Sequence, residues 1–294
     1  MKQKVVILGS GGMAGHVISL SLKQHQDLYN VVNVARKKSV LEPEYIMDLL
    51  DTAVLQKLLE AEDPDIVINA AGILNQTAEQ FPDYAIFINS YLPHYLERIT
   101  ANTNCRVIQI STDCVFSGKK GGYIENDEKD GVGYYAETKA LGELNNKKDL
   151  TIRTSIIGPD LNTNGIGLFN WFAKQKGEIS GYTKAYWTGV TTIELALAII
   201  HLIKENKNGL YHLVNEEKIA KYDLLELFKK NFPDVAVTCI NPVDQYVVDK
   251  SLVNTRTDIS YKVPSYDTMV EQMKEWIRKN DALYPHYWFL EKEQ

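Results

Sequence analysis

The stretch KVVILGSGGMAGHVISLSLK (Lys4–Lys23) decides the fold. Lys4 to Leu8 is an apolar, β-branched run of the kind that forms a buried strand. Gly9-Ser10-Gly11-Gly12-Met13-Ala14-Gly15 follows, and a helical run goes from His16 to about Lys23. Glycines let a backbone turn tightly and approach a pyrophosphate, while the next helix offers free N–H groups and a partial positive charge. Gly9, Gly12 and Gly15 stand in GxxGxxG spacing between strand and helix. That context separates a dinucleotide-binding turn from a plain glycine turn. Gly9, Gly12, Met13 and Gly15 are therefore candidate cofactor-binding residues.

Strand and helix signals keep alternating beyond it, as a doubly wound parallel sheet requires. The second strand, Val31 to Val34, ends in Ala35-Arg36-Lys37-Lys38 rather than in an acid. An acid there would bond the ribose 2′-hydroxyl of NAD, whereas Arg36 accommodates the 2′-phosphate of NADP; NADPH is favoured and NADH is the alternative. A third strand is read at Ile46 to Leu49, with Asp48 and Leu49 at its end. Asp48 is either a receiver of the adenine amino group or a polar loop residue. Asp51 looks like the N-cap of a helix whose Val54, Leu55, Leu58 and Leu59 share a face. Ile66 to Asn69 is the fourth strand, and the small residues Ala70, Ala71 and Gly72 after it permit close cofactor approach. In the helix expected from Asn89 to Ala101, Pro93 is tolerable only near the start. Asn89 is either a helix-terminus hydrogen bonder or part of a network reaching the active-site lysine.

The chemistry lies further on. Val107 to Ile110 is a fifth strand, and Ser111-Thr112-Asp113 sits where it surfaces, at the carboxyl end that binds ligands in such sheets. Tyr135 and Lys139 open a helical run, and four-residue spacing puts them on one face. A nearby ammonium lowers a phenol from its usual value of about 10. Thr112 would bond a substrate carbonyl oxygen, Tyr135 would protonate it as hydride arrives from a nicotinamide, and the reaction class is carbonyl reduction or its reverse. YxxxK alone is a weak pattern, and one half-buried ring beside a solvated charge is the common alternative. The surrounding motifs give it weight.

Leu150 to Ile157 is read as a sixth strand, after which the alternation breaks. Residues 159 to 189 read as a loop-rich segment with one helical stretch, Leu168 to Lys176, suited to a substrate lid. A helix from Thr191 to Leu202 and a strand from Gly209 to Val214 return to the sheet. Lys221 to Phe232 and Tyr266 to Lys279 are helices, Val235 to Ile240 a short strand, and the tail Leu283 to Leu290 is aromatic enough to pack on the body. The expected architecture is α/β: a Rossmann-type sheet of residues 1–157 plus about 190–217, with a smaller α/β substrate domain of about 158–189 plus 218–294.

The 294 residues carry a net charge of −6, which argues against a general nucleic-acid or anionic-membrane binder. No apolar run approaches the roughly 20 residues of a membrane span; the longest, Val190 to Ile203, contains Glu194. The first residues run straight into a strand without a signal peptide's cleavage region. Cys105, Cys114 and Cys239 form no CxxC pair, and a reduced, cytoplasmic protein is expected. The histidines lack metal-ligand spacing, so no catalytic metal is expected.

Taken together, GxxGxxG at Gly9 to Gly15, NAAG at Asn69 to Gly72, STDxVFSG at Ser111 to Gly118, YxxxK at Tyr135 to Lys139 with KALGE, and RTSIIG at Arg153 to Gly158 resemble the extended short-chain dehydrogenase/reductases. Within them the chain is most similar to the dTDP-4-dehydrorhamnose reductase branch, which acts on nucleotide-linked 4-keto sugars. The resemblance implies Thr112 and Tyr135 on the substrate carbonyl, Asp113 as the acid following the catalytic Thr, and Lys139 on Tyr135 and the nicotinamide ribose. It also implies a nucleotide-linked 4-keto-6-deoxy sugar as substrate, in surface polysaccharide synthesis, and a homodimer as a common assembly. Tyr182 and Trp187 in the expected lid are candidates to stack on the base or sugar, and Arg256 to pair with the diphosphate, each against an ordinary packing or surface role. Two alternatives share the fold: a nucleotide-sugar epimerase or dehydratase, and a non-catalytic subunit like the one that regulates methionine adenosyltransferase. The complete Thr112, Tyr135 and Lys139 set favours catalysis.

Overall fold

The structure, a computed structural model, describes residues 2–38, 40–287 and 289. Its first strands are β1 (Gln3–Leu8), β2 (Tyr29–Ala35), β3 (Tyr45–Ile46), β4 (Ile66–Asn69), β5 (Arg106–Thr112) and β6 (Leu150–Thr154). They are followed by β7 (Ile156–Ile157), β8 (Gly177–Trp187), β9 (Val190–Thr191), β10 (Gly209–His212), β11 (Ile219–Ala220) and β12 (Val237–Asp249). Seven of them form one sheet in the order β10-β6-β5-β4-β1-β2-β3, and every neighbouring pair is parallel. Helices cover both faces, so β4 and β6 are buried along their whole length, and β4 reads as an apolar run up to Asn69. The chain winds outward from β1 through β2 and β3, then restarts on β1's other side with β4. This reversal opens a crevice at the carboxyl ends of β1 and β4, where α/β sheets bind ligands.

Several elements depart from the sequence expectation for identifiable reasons. The third strand is only Tyr45–Ile46, because Asp48 folds the chain back by accepting the Leu50 N–H at 3.0 Å. The sixth strand stops at Thr154, and Ile156–Ile157 pairs instead with β9 in a separate ribbon. The helix expected from Asn89 begins earlier, at Pro82, and passes through a π turn at Ile86–Tyr91 before Leu92–Thr100. Pro93 explains the turn, since it has no N–H for the Asn89 carbonyl four residues back. Gly142 packs on that carbonyl so closely that a Cβ would lie 1.8 Å from it. Asp51 does cap its helix, accepting the Val54 N–H at 3.0 Å.

The segment expected to be a lid holds a short helix, Leu168–Phe172, and then β8, the central strand of a second sheet ordered β11-β8-β12. The expected short strand at Val235 is a 13-residue one, β12. One continuous apolar core joins the sheets, from Val5, Ile7 and Val17 to Phe228, Met273 and Ile277. Within the aromatic tail Tyr284, Tyr287 and Phe289 are buried in that core, as expected; Trp288 and Leu290 lie outside the described residues. No helix among the described residues is long and apolar enough to cross a membrane.

Candidate active site

The crevice is built first from backbone. Gly9 follows β1 with φ +80°, a conformation L side chains rarely adopt, and a Cβ there would lie 2.9 Å from the Ala71 nitrogen. A Cβ on Gly15 would lie 2.2 Å from the Gly9 carbonyl oxygen. The turn and Ala70-Ala71 therefore abut across the reversal point, and the chain can bend this sharply only with glycine at both places. Helix Met13–Lys23 begins at Gly12 with no side chain capping it, so its first N–H groups face the crevice. Arg36 stands exposed just past β2, its Nη1 donating to the Tyr84 hydroxyl at 3.1 Å. Asp48 and Leu49 lie past β3, and Ala70, Ala71 and Gly72 past β4. All of these candidates thus line the carboxyl edge, and an uncapped helix start beside a glycine cradle fits a dinucleotide's pyrophosphate.

Asn89 is buried, and both of its amide faces are used. It donates to the Ile73 carbonyl at 2.9 Å and the Thr138 hydroxyl at 3.1 Å, and it accepts the Ile73 N–H at 2.8 Å. It ties the loop after β4 to the Tyr135 helix rather than ending a helix or reaching Lys139.

The candidate reacting groups meet at the end of β5. Thr112, its last residue, accepts the Cys114 N–H and donates to Asp113 Oδ1, each at 3.1 Å. Tyr135, in helix Tyr134–Leu141, stands close enough to Thr112 for that hydroxyl to act on its phenol. Burial pushes the Tyr135 pKa up, Cys114 and Asp113 add to this, and the Thr112 hydroxyl opposes it. Burial also raises Asp113, against the pull of Lys250, Thr112 and Lys221.

The expected lowering of the phenol by Lys139 is not what the geometry gives. Lys139 Nζ turns to the strand and donates to the Ile110 carbonyl at 2.6 Å. Burial lowers its own pKa to about 8, with Glu143 pulling the other way. Tyr135 is consequently a neutral phenol at pH 7 and not a phenolate. The two residues share a helix face as the spacing predicts, but they serve different partners.

Beside Tyr135 lies a cavity of about 710 Å³, lined among others by Asn75, Glu79, Cys114, Val132 and Lys250. The three substrate residues expected from sequence do not gather on it. Tyr182 is exposed on β8 and contacts Tyr246, ring centroids 5.0 Å apart. Trp187 is buried in the core against Tyr266. Five apart on one strand, they face opposite sides of the sheet. Arg256 is engaged by Asp258 through Nε at 2.9 Å and Nη2 at 2.6 Å, and it also donates to the Asn208 and Leu210 carbonyls. Those carbonyls mark the start of β10, the sheet edge opposite the ligand-binding one, so Arg256 is a clamp and not a diphosphate ligand.

Sequence reasoning missed the buried ionic platform beneath the site. Arg153 makes a bidentate pair with Glu143 at 2.8 and 2.7 Å, and its Nη1 donates to His212 Nε2 at 2.7 Å. Glu143 also accepts the Ser111 hydroxyl at 2.6 Å, which braces the residue before Thr112. Burial and the Arg153 charge hold His212 neutral, its pKa lowered to about 4. Lys221 and Lys250 were missed as well: among the described residues neither Nζ makes a hydrogen bond or ion pair, yet both act on Asp113.

Comparison with known proteins adds the family. The RmlD substrate binding domain description matches residues 3–252. The spore coat polysaccharide biosynthesis protein SpsK of Bacillus subtilis (strain 168) is 28% identical over 226 residues, covering 75% of this chain and 76% of SpsK. The structure of a hypothetical dTDP-4-dehydrorhamnose reductase from Sulfolobus tokodaii superposes with a TM-score of 0.76 at 26% identity, covering 91% of this chain and 98% of that one. The dTDP-4-dehydrorhamnose reductase of Bacillus anthracis str. Ames in complex with NADP gives 0.79 at 22% identity, covering 92% and 98%.

Proposed function

The chain belongs to the RmlD substrate binding domain family of extended short-chain dehydrogenase/reductases, and on that premise we propose that it reduces a nucleotide-linked 4-keto-6-deoxy sugar with NADPH, for surface polysaccharide synthesis. The single observation that carries the proposal is the gathering of Thr112, Asp113 and half-buried Tyr135 at one open cavity, with Thr112 donating to Asp113 at 3.1 Å. Residues 1–157 and 190–217 bind the dinucleotide at Gly9, Gly12, Met13, Gly15, Arg36, Asp48, Leu49, Ala70, Ala71 and Gly72; residues 158–189 and 218–294 close over the sugar nucleotide. A bound NADPH supplies hydride to the carbonyl carbon. Thr112 holds the carbonyl oxygen, Tyr135 gives it a proton, and the raised phenol pKa keeps that proton on Tyr135 at neutral pH. Asn89 sets the Tyr135 helix against the loop after β4, and Lys139 fixes a positive charge under the site. An anionic substrate agrees with Lys250, which lines the cavity, and with Lys221, which also acts on Asp113, in a chain whose net charge is −6.

The test is NADPH oxidation, followed by absorbance, with a panel of dTDP- and UDP-linked 4-keto-6-deoxyhexoses. Turnover with at least one of them is expected. Tight NADPH binding without turnover of any would favour the non-catalytic alternative, and NAD(H) retained stoichiometrically through purification would favour an epimerase or dehydratase.

A further inference from the structure

Three buried side chains connect the far end of the chain to the glycine turn. Trp276, in helix Tyr266–Lys279, donates its indole N–H to the Tyr284 hydroxyl at 2.9 Å. That hydroxyl lies 2.8 Å from His16 Nε2, and His16 Nδ1 lies 2.9 Å from the Gly12 carbonyl oxygen. His16 and Tyr284 are fully buried. The direction of the chain of bonds is fixed by chemistry, because an indole nitrogen only donates. Tyr284 accepts that proton's bond and gives its own proton to His16 Nε2, so Nδ1 is the protonated nitrogen and donates to Gly12. Burial keeps the ring neutral, its pKa lowered to about 4, as this arrangement requires.

The Gly12 carbonyl also receives the His16 backbone N–H at 3.1 Å. Two donors therefore pin it toward the helix interior. A peptide unit is planar and its C=O and N–H point opposite ways, so pinning this carbonyl aims the Met13 N–H outward, into the crevice. We propose that His16 and Tyr284 are positioning residues for the cofactor: through them the C-terminal segment sets the orientation of the Met13 N–H and with it the affinity for the dinucleotide. This rests on the dinucleotide reading of the glycine turn given above. Tyr284 touches no cofactor; it acts by fixing which nitrogen of His16 carries the proton. Without it, the other tautomer would turn a lone pair toward the Gly12 carbonyl.

The test compares NADPH binding and thermal stability in the full-length wild type, Tyr284→Phe and Trp276→Phe. Tyr284→Phe is expected to weaken NADPH about tenfold, the scale of one well-placed hydrogen bond, and to raise KM for NADPH far more than it changes kcat. Trp276→Phe removes only the distal bond, so it is expected to lower Tm while retaining wild-type affinity. Should Tyr284→Phe not fold, His16→Phe removes the same donor to Gly12 and is expected to show the same loss. Wild-type affinity in the Tyr284 or His16 variant, with a fall in Tm alone, overturns the inference. A wild type that binds neither NADPH nor NADH overturns the dinucleotide reading itself, and this inference with it.

Discussion

The pH dependence of turnover follows from Lys139. Its fall from 10.5 to about 8 corresponds to about 3 kcal/mol against the charged form, the net of burial opposed by the Glu143 charge. A group titrating there is about 90% protonated at pH 7 and about 10% at pH 9. If the ammonium fixed to the Ile110 carbonyl is needed, kcat/KM falls on a limb near pH 8. Neither Tyr135, pushed further up from its ordinary value, nor Cys114, pushed up to about 11, produces that limb. Stability moves the opposite way. The lysine binds its proton more tightly unfolded than folded, so between about pH 8 and 10.5 its own contribution to stability rises with pH, while the raised Cys105 and Cys114 thiols work the other way above about pH 9. The assay is kcat/KM for the keto sugar from pH 6 to 10 beside Tm at each pH, in the wild type and in Lys139→Arg, whose guanidinium stays charged. A limb near 8 in the wild type that is lost in Lys139→Arg is expected, without a parallel fall in Tm. A flat profile to pH 10, or a limb unmoved in Lys139→Arg, refutes the reasoning.

Arg36→Ala should lower the preference for NADPH over NADH by about 10- to 100-fold, the value of one charge-assisted contact, and leave Tm unchanged; kcat/KM with each cofactor decides. Arg256→Ala should lose about 1–3 kcal/mol of stability in urea by freeing Asp258 and the β10 carbonyls, and keep the wild-type KM for the sugar nucleotide. Lys250→Ala should do the reverse, raising that KM about tenfold with little change in Tm, and the increase should shrink at high salt.

What was legible in the sequence was local. The glycine turn, the buried strands and the Asp51 cap each declare themselves within a few residues, so β1, β4 and the start of the cofactor crevice could be read directly. The long strand β8 could not. Its inward positions include Gly181 and Ala185, while Tyr182 faces out, so the alternation that marks a strand is masked and the segment reads as a loop. Arg256 misled because a fork-shaped cation suits a phosphate equally well, although Asp258 two residues on was a local signal of another partner. The π turn was legible only as the awkwardness of Pro93, and its consequence, Asn89 facing Ile73 and Thr138, depends on a glycine at position 142. The Arg153–Glu143–His212 platform joins residues from β6, β10 and the loop after the Tyr135 helix, and nothing in the sequence marks them as neighbours. Lys139 shows the same limit at short range: spacing placed it on the correct face, but the Ile110 carbonyl it binds belongs to another element.

The most direct test is a single-turnover measurement of NADPH oxidation in Tyr135→Phe, with the enzyme saturated by its keto sugar and NADPH affinity measured alongside. The rate should fall by about 10²- to 10⁴-fold, the scale of a lost proton donor, with cofactor affinity retained. A variant that oxidises NADPH at the wild-type rate would contradict the assignment of Tyr135 as the group that protonates the carbonyl.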